Sequence, residues 1–239
     1  MNPNQNSNQP LVAERLSTSD DTRSFFQRVY TWMCAGLLLS GLVAYFVAST
    51  DSWVNFIFGT PFLFYGLLIA QILLVVWLSR GINKMSSHTA SVVFILYSFL
   101  TGLTLSTVFM AYTTESINTV FFITAGMFGV ISIYGHITKA DLSKIGQIAF
   151  MGLIGLVLAG LVNLFVRSSN VDLVLSGIGV LVFTVLTAYD TQKIKSLAAT
   201  VRQDSESAAK AAIIGALTLY LDFINLFLDL LRFFGRRRN

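Results

Sequence analysis

The chain has 239 residues, 54% of them hydrophobic and 12% charged, with a formal net charge of +4. Soluble domains carry about 25% charged residues, so a globule this apolar could not cover its surface with ionic groups. The composition argues against a soluble enzyme, a disordered chain and a nucleic-acid binder, and the small basic excess fits membrane topology better than a phosphate-binding face.

Residues 1–22, rich in Asn, Gln, Ser and Pro, read as a disordered cytoplasmic tail. No secretory signal is evident, because the first apolar run starts near Val29 and is too long for a signal core. A hydrocarbon layer about 30 Å thick needs about 20 apolar residues per helix. Charge-free runs of that order cover residues 29–50, 52–79, 85–114, 116–138, 145–166 and 173–189. A seventh, 211–231, carries Asp222 and Asp229. Backbone polar groups in hydrocarbon must be bonded within their own segment, so these runs are expected to be helices. They are too long for barrel strands, which need about 10 residues and alternate in polarity. Residues 196–210 are expected to form an exposed, partly helical loop. The reading is an all-α integral membrane domain over 23–235 with seven transmembrane helices, followed by a basic tail at 236–239. No internal repeat supports an inverted-repeat transporter.

Lys and Arg placement sets orientation. The N-terminal flank holds Arg15, Arg23 and Arg28, and the second connector Arg80 and Lys84. The fourth holds Lys139 and Lys144, and the sixth Lys193, Lys195, Arg202 and Lys210. The alternate side has Arg167 alone, so the N-terminus is expected in the cytoplasm. Arg232, Arg236, Arg237 and Arg238 break the pattern. They would stay inside only if the seventh segment dipped in and returned. Its length suffices for a span, and a span is expected.

A carboxylate at bilayer depth is costly and marks a functional site by default. Asp222 lies mid-way along the seventh segment. At 100° per residue, Thr218, Asp222, Asn225 and Asp229 fall on one stripe of an otherwise Leu-, Ile- and Phe-rich helix. Such a stripe must face other helices or water, which places this helix centrally. Asp190 closes the sixth apolar run, with Lys193 one turn on as a candidate partner. Alone it reads equally well as a solvated helix-end aspartate. With Asp222 on the next segment, a carboxylate pair becomes the stronger reading. Two carboxylates in reach of each other cannot both ionise cheaply, so they share a proton and act as a proton sensor. Ionised, they attract a hard cation such as Ca²⁺. Two side chains fall short of the six to eight oxygens of a tight site, which suits transient binding along a path. Asp229 either extends the stripe or pairs with Arg232.

Gln71 reads as an interhelical hydrogen bond. Ser98, Thr101, Gly102, Gly126, Gly129, Gly152, Gly155 and Gly160 read as close helix packing. Asn163 lines a cavity or caps a helix, and His136 reads as solvated. Cys34 is the sole cysteine, so neither an intramolecular disulfide nor a cysteine zinc site can form. The sequence shows no phosphate loop, no nucleophile with its base and no metal triad, so no resident cofactor and no enzymatic activity are expected.

The stretches TAYDTQKIK (187–195) and LTLYLDFINLFLDLLRFFG (217–235) strongly resemble the Bax inhibitor family of membrane proteins. TGLTLS (101–106), TAGMFG (124–129) and TKADLS (138–143) are similar to its bacterial inner-membrane branch. The resemblance covers residues 22–235. It implies six helices wrapped around a central seventh and a pH-sensitive calcium leak. By motif, Asp190 of YDTQ and Asp222 of YLDFIN are the pair that closes the path near the cytosolic side. The family also has a basic residue at the end of the second helix. Here the stretch is WLSRG, with Ser79 at the matching position and Arg80 beside it. Gln71 stands where some members are acidic in the second helix.

Two functions compete. The first is a pH-gated cation leak through the stripe, with Ca²⁺ as the permeating ion. The second is a non-conducting interaction protein that modulates a membrane-bound AAA protease or a stress response, as some family members imply. An intramembrane hydrolase built on Asp190 and Asp222 ranks lowest, because the other elements of a protease motif are missing. No nucleic-acid partner is expected.

Overall fold

A computed structural model describes residues 9–201 and 205–238, with side-chain surroundings from residue 21 onward except at Pro61. Among the described residues eight α-helices follow in order: α1 (Gln9–Ala48), α2 (Asp51–Phe58), α3 (Pro61–Gly81), α4 (Ser87–Ala111), α5 (Thr114–Ile137), α6 (Ser143–Val166), α7 (Ser169–Ala198) and α8 (Glu206–Phe234). A 3₁₀ turn at Ile82–Lys84 follows α3. Among the described residues the only β feature is a lone bridge between Tyr112 and Arg237.

Sequence explains most of the boundaries. Ser86, Thr113, Ser168 and Ser205 cap α4, α5, α7 and α8, each side-chain oxygen accepting a first-turn N–H. The run expected as one span over 52–79 is instead two helices. Gly59, Thr60 and Pro61 interrupt it, and Pro61 opens α3 at the position where its missing N–H costs nothing. Helix α1 reaches back to Gln9, inside the stretch expected as a disordered tail. The residues it takes in, LVAERL at 11–16, are mostly good helix formers. Residues 1–8 lie outside the described ones. Helices α7 and α8 likewise extend into the expected 196–210 loop and leave a connector over 199–205.

Seven of the helices are long and apolar enough to cross a membrane: α1 from Asp21 onward, and α3 to α8. Large apolar side chains such as Phe62, Phe122, Ile148 and Phe165 stand exposed over the outer helices. An apolar surface of this extent belongs in lipid. The chain is an all-α integral membrane protein.

Helix α8 is the core. It packs against α1, α4, α5 and α7, while α3 lies on α4 and α6 on α7 to complete the surround at one remove. In its most apolar window 61% of α8 is buried, against 6% for α3 and 11% for α6. Buried Ala208, Ala212 and Ala216 recur every fourth residue along its first half and let neighbouring backbones approach. Gly102 of α4 does the same against Ser40 and Val43 of α1, as expected from its motif. Gly126, Gly129, Gly155 and Gly160 do not, since a Cβ at any of them would meet nothing within 4 Å. A small residue signals that close approach is allowed, but not which way its face points.

Hydrogen bonds at the helix ends sort the connectors into two sides. On one side Glu206 Oε1 accepts from the Ser87 N–H at 3.0 Å, and Lys210 Nζ donates to the Met85 carbonyl at 3.3 Å. There Gln192 also bridges Leu142 N–H and the Ala140 carbonyl, at 3.0 and 2.8 Å. The C-terminal tail lies on the other side. The Thr113 N–H donates to the Arg236 carbonyl at 3.1 Å and the Arg238 N–H to the Ala111 carbonyl at 2.8 Å. The Arg236 N–H donates to Ser116 Oγ at 3.0 Å. The tail is therefore pinned to the α4–α5 turn, across the bundle from the start of α8. Helix α8 therefore runs from one side of the bundle to the other, long enough for a span, and its arginines sit opposite its start.

A buried polar knot ties the bundle centre. Ser40 Oγ of α1 lies 2.6 Å from the Tyr220 hydroxyl of α8 and donates to the Ser98 carbonyl of α4 at 2.7 Å. The Tyr220 ring meets Phe94 and Tyr97 edge-on. Ser40 keeps backbone partners when the phenol is lost, so Tyr220→Phe is expected to cost only about 1 kcal/mol in thermal unfolding.

Candidate functional site

Helices α7 and α8 run antiparallel, and their contact seam carries the membrane-embedded carboxylates. Asp190 sits about two turns before α7 ends at Ala198. Asp222 lies near the middle of α8. Asp222 is 5% exposed and its Oδ2 has no hydrogen-bond partner among the described residues. The neighbouring charge that acts on it is the Asp190 carboxylate. The structure thus brings together the two residues that the sequence singled out. Asp190 is only half-buried, and Lys193 supplies a positive charge near it.

Two glycines outside the sequence reading hold this part of α7. A Cβ at Gly135 of α5 would collide with the Ala188 carbonyl oxygen, and one at Gly146 of α6 with the Tyr189 ring. Residues 188 and 189 are therefore gripped from both sides immediately before Asp190. The signal available was glycine inside otherwise bulky helical runs (IYGHI, SKIGQ), but glycines facing lipid look the same in sequence.

The remaining stripe residues divide. Thr218 Oγ1 and Asn225 Nδ2 turn back onto the Ile214 and Leu221 carbonyls, at 3.0 and 2.8 Å. Asp229 packs against Gly179 of α7, where a Cβ would strike its carboxylate. It also pairs with Arg232 at 3.8 Å, as one of the two sequence readings expected. The Arg232 side chain is 54% exposed, and such a pair adds little stability. Arg80 ends α3 with its side chain exposed, and α3 packs on α4 rather than on the seam. Arg80 is thus not brought to the pair. Gln71 of α3 reaches Thr101 and Thr104 of α4, at 3.4 and 3.5 Å, as an interhelical contact. Asn163 ties the α6–α7 turn through the Ser168 backbone and Asp172. His136 is half-buried rather than solvated, its ring edge-on to Phe26 at 4.6 Å.

Two cavities lie along the seam, of which one reaches Asp190. One of about 570 Å³ opens between α6 and α7, lined by Asp190, Leu186 and Lys193. The other, about 830 Å³, lies between α6, α7 and α8 and is lined by Asp172, Asn225, Asp229, Arg232 and Arg237. Phe183 lines this second cavity, one turn along α7 from Leu186 in the first, and both side chains are buried. Among the described residues no three His, Cys, Asp or Glu side chains gather as a metal cage.

A family model described as inhibitor of apoptosis-promoting Bax1 matches residues 22–239. The chain belongs to this Bax inhibitor-1 family. It is 49% identical over 217 residues to the inner membrane protein YbhL of Escherichia coli, covering 90% of this chain and 93% of the relative. An uncharacterized protein of Borreliella burgdorferi is 46% identical over 215 residues, with the same coverage. An uncharacterized membrane protein of Streptococcus pyogenes is 38% identical over 215 residues, covering 89% of this chain and 92% of the relative. This Bax inhibitor-1 chain thus aligns along about nine-tenths of its length with bacterial proteins, two of which are named as membrane proteins.

Proposed function

We propose that the protein is a pH-sensitive cation leak of a bacterial inner membrane, with Ca²⁺ as cargo and the Asp190–Asp222 pair as its control point. The observation that carries this reading is the buried, unpartnered Asp222 carboxylate set against Asp190, with an open cavity toward each end of the seam. An isolated buried charge is expensive, and a stability role alone would favour an apolar residue there. A proton held between the two carboxylates removes one unit of charge from the seam, and a passing cation competes for the same oxygens. Two carboxylates bind Ca²⁺ too weakly to store it, which a path requires. Asp229 and Asn225 line the cavity by which a cation would approach. This is transport rather than catalysis. The basic connectors favour a cytoplasmic N-terminus, with only the tail arginines on the opposite side.

The test is Ca²⁺ entry into sealed liposomes. The wild type is expected to conduct, and the Asp190→Asn/Asp222→Asn double variant to fall to the level of protein-free vesicles. Equal flux for both would reject the control point. No flux from either would favour the non-conducting interaction protein.

A further inference from the structure

A third cleft, lined by neither Asp190 nor Asp222 and of opposite charge, opens between α1, α5 and α7 with a volume of about 740 Å³. Three bases line it, one from each helix: Arg23, His136 and Lys195. None of its lining residues is acidic. All three bases lie at span termini on one side of the bundle. Arg23 is near the start of Asp21–Ala48, His136 near the end of Thr114–Ile137, and Lys195 near the end of Ser169–Ala198. That is the depth at which lipid headgroups meet the protein.

The cleft is also built rather than incidental. The Lys195 ammonium donates to the His136 carbonyl at 2.6 Å, which leaves two of its N–H bonds for another acceptor. The His136 ring is held edge-on against buried Phe26. Phe26 and Tyr30, one and two turns of α1 deeper than Arg23, make an aromatic floor of the kind found at membrane interfaces. On α5, Ile133 and Ile137 beside His136 are 61% and 64% exposed, an apolar face pointing at lipid.

The geometry points to a binding site for the phosphate-bearing headgroup of an anionic phospholipid, with Arg23, His136 and Lys195 around the phosphate and the acyl chains along the exposed face of α5. Basic clefts between transmembrane helices at the membrane surface recognise such headgroups, and a zwitterionic lipid gains much less from them. The site is independent of whether the protein conducts.

The experiment is native mass spectrometry of the full chain in detergent, titrated with phosphatidylglycerol, phosphatidylcholine or inorganic phosphate. The wild type is expected to retain phosphatidylglycerol roughly tenfold better than phosphatidylcholine, and Arg23→Gln/Lys195→Gln to remove that preference. Lys139→Gln/Lys144→Gln, which removes two bases outside the cleft, should leave it intact. Retained phosphatidylglycerol in the presence of excess inorganic phosphate assigns the site to lipid, whereas its displacement would mean that phosphate alone is bound and would overturn the lipid assignment. Equal retention of both lipids, or an equal loss in the two double variants, would also overturn it.

Discussion

Asp222→Asn is expected to remove most of the Ca²⁺ flux and all of its pH dependence, while Asp190→Asn should weaken both less. The asymmetry follows from burial. Asp222 is 5% exposed with an orphaned oxygen, so its charge is felt most strongly in the seam. Asp190 is half-buried with Lys193 close by, so part of its charge is already compensated. Without Asp190 the buried Asp222 carboxylate still titrates alone, whereas the loss of Asp222 leaves the centre of α8 without charge. Asp222→Asn should not unfold the protein. It exchanges an uncompensated buried charge for a neutral amide of the same shape, and relief of such a charge is neutral or stabilising. Flux in liposomes and thermal unfolding in detergent, measured on the same preparations, separate the two effects. A variant that conducts like the wild type would break the assignment of Asp222.

Gly135→Ala is expected to produce the largest loss of stability from a single methyl group, about 1–3 kcal/mol. The added Cβ would run into the Ala188 carbonyl oxygen, with the Ala188 Cα at 3.1 Å. Both are backbone atoms, so no rotamer change relieves the clash and α5 must move off α7. That shift reaches Asp190 two residues later, so the pH profile of flux should move as well. Gly129→Ala on the same helix is the matched control. Its Cβ would meet nothing within 4 Å. Exchanging glycine for alanine in an open helical position should be neutral or stabilise by about 0.5–1 kcal/mol. Thermal unfolding of the two variants side by side distinguishes contact from propensity.

The contrast between these glycines shows what can be read from sequence here. Span number, order and helical type follow from run length and the need to satisfy the backbone in lipid, and Asp222 was conspicuous as a charge in an apolar run. The central place of α8 followed from its polar stripe, because such a face cannot meet lipid. Directional information was not available. Gly126 and Gly135 look equivalent in the sequence, yet one faces open space and the other a carbonyl. The 52–79 run hid a break, since Gly59–Thr60–Pro61 carries no charge and hydropathy does not register it. The docking of residues 236–238 on the α4–α5 turn rests on backbone hydrogen bonds, which no side-chain pattern announces. Charge counting therefore left a re-entrant α8 open until the fold placed the tail.

The most direct measurement is Ca²⁺ flux in liposomes held at equal pH inside and out, stepped from about pH 5 to pH 8, the range in which a carboxylate pair sharing a proton can titrate. The wild type should change its flux across that range, and Asp190→Asn/Asp222→Asn should give a flat line near background. The same pH dependence in both proteins would contradict the claim that this pair controls the path.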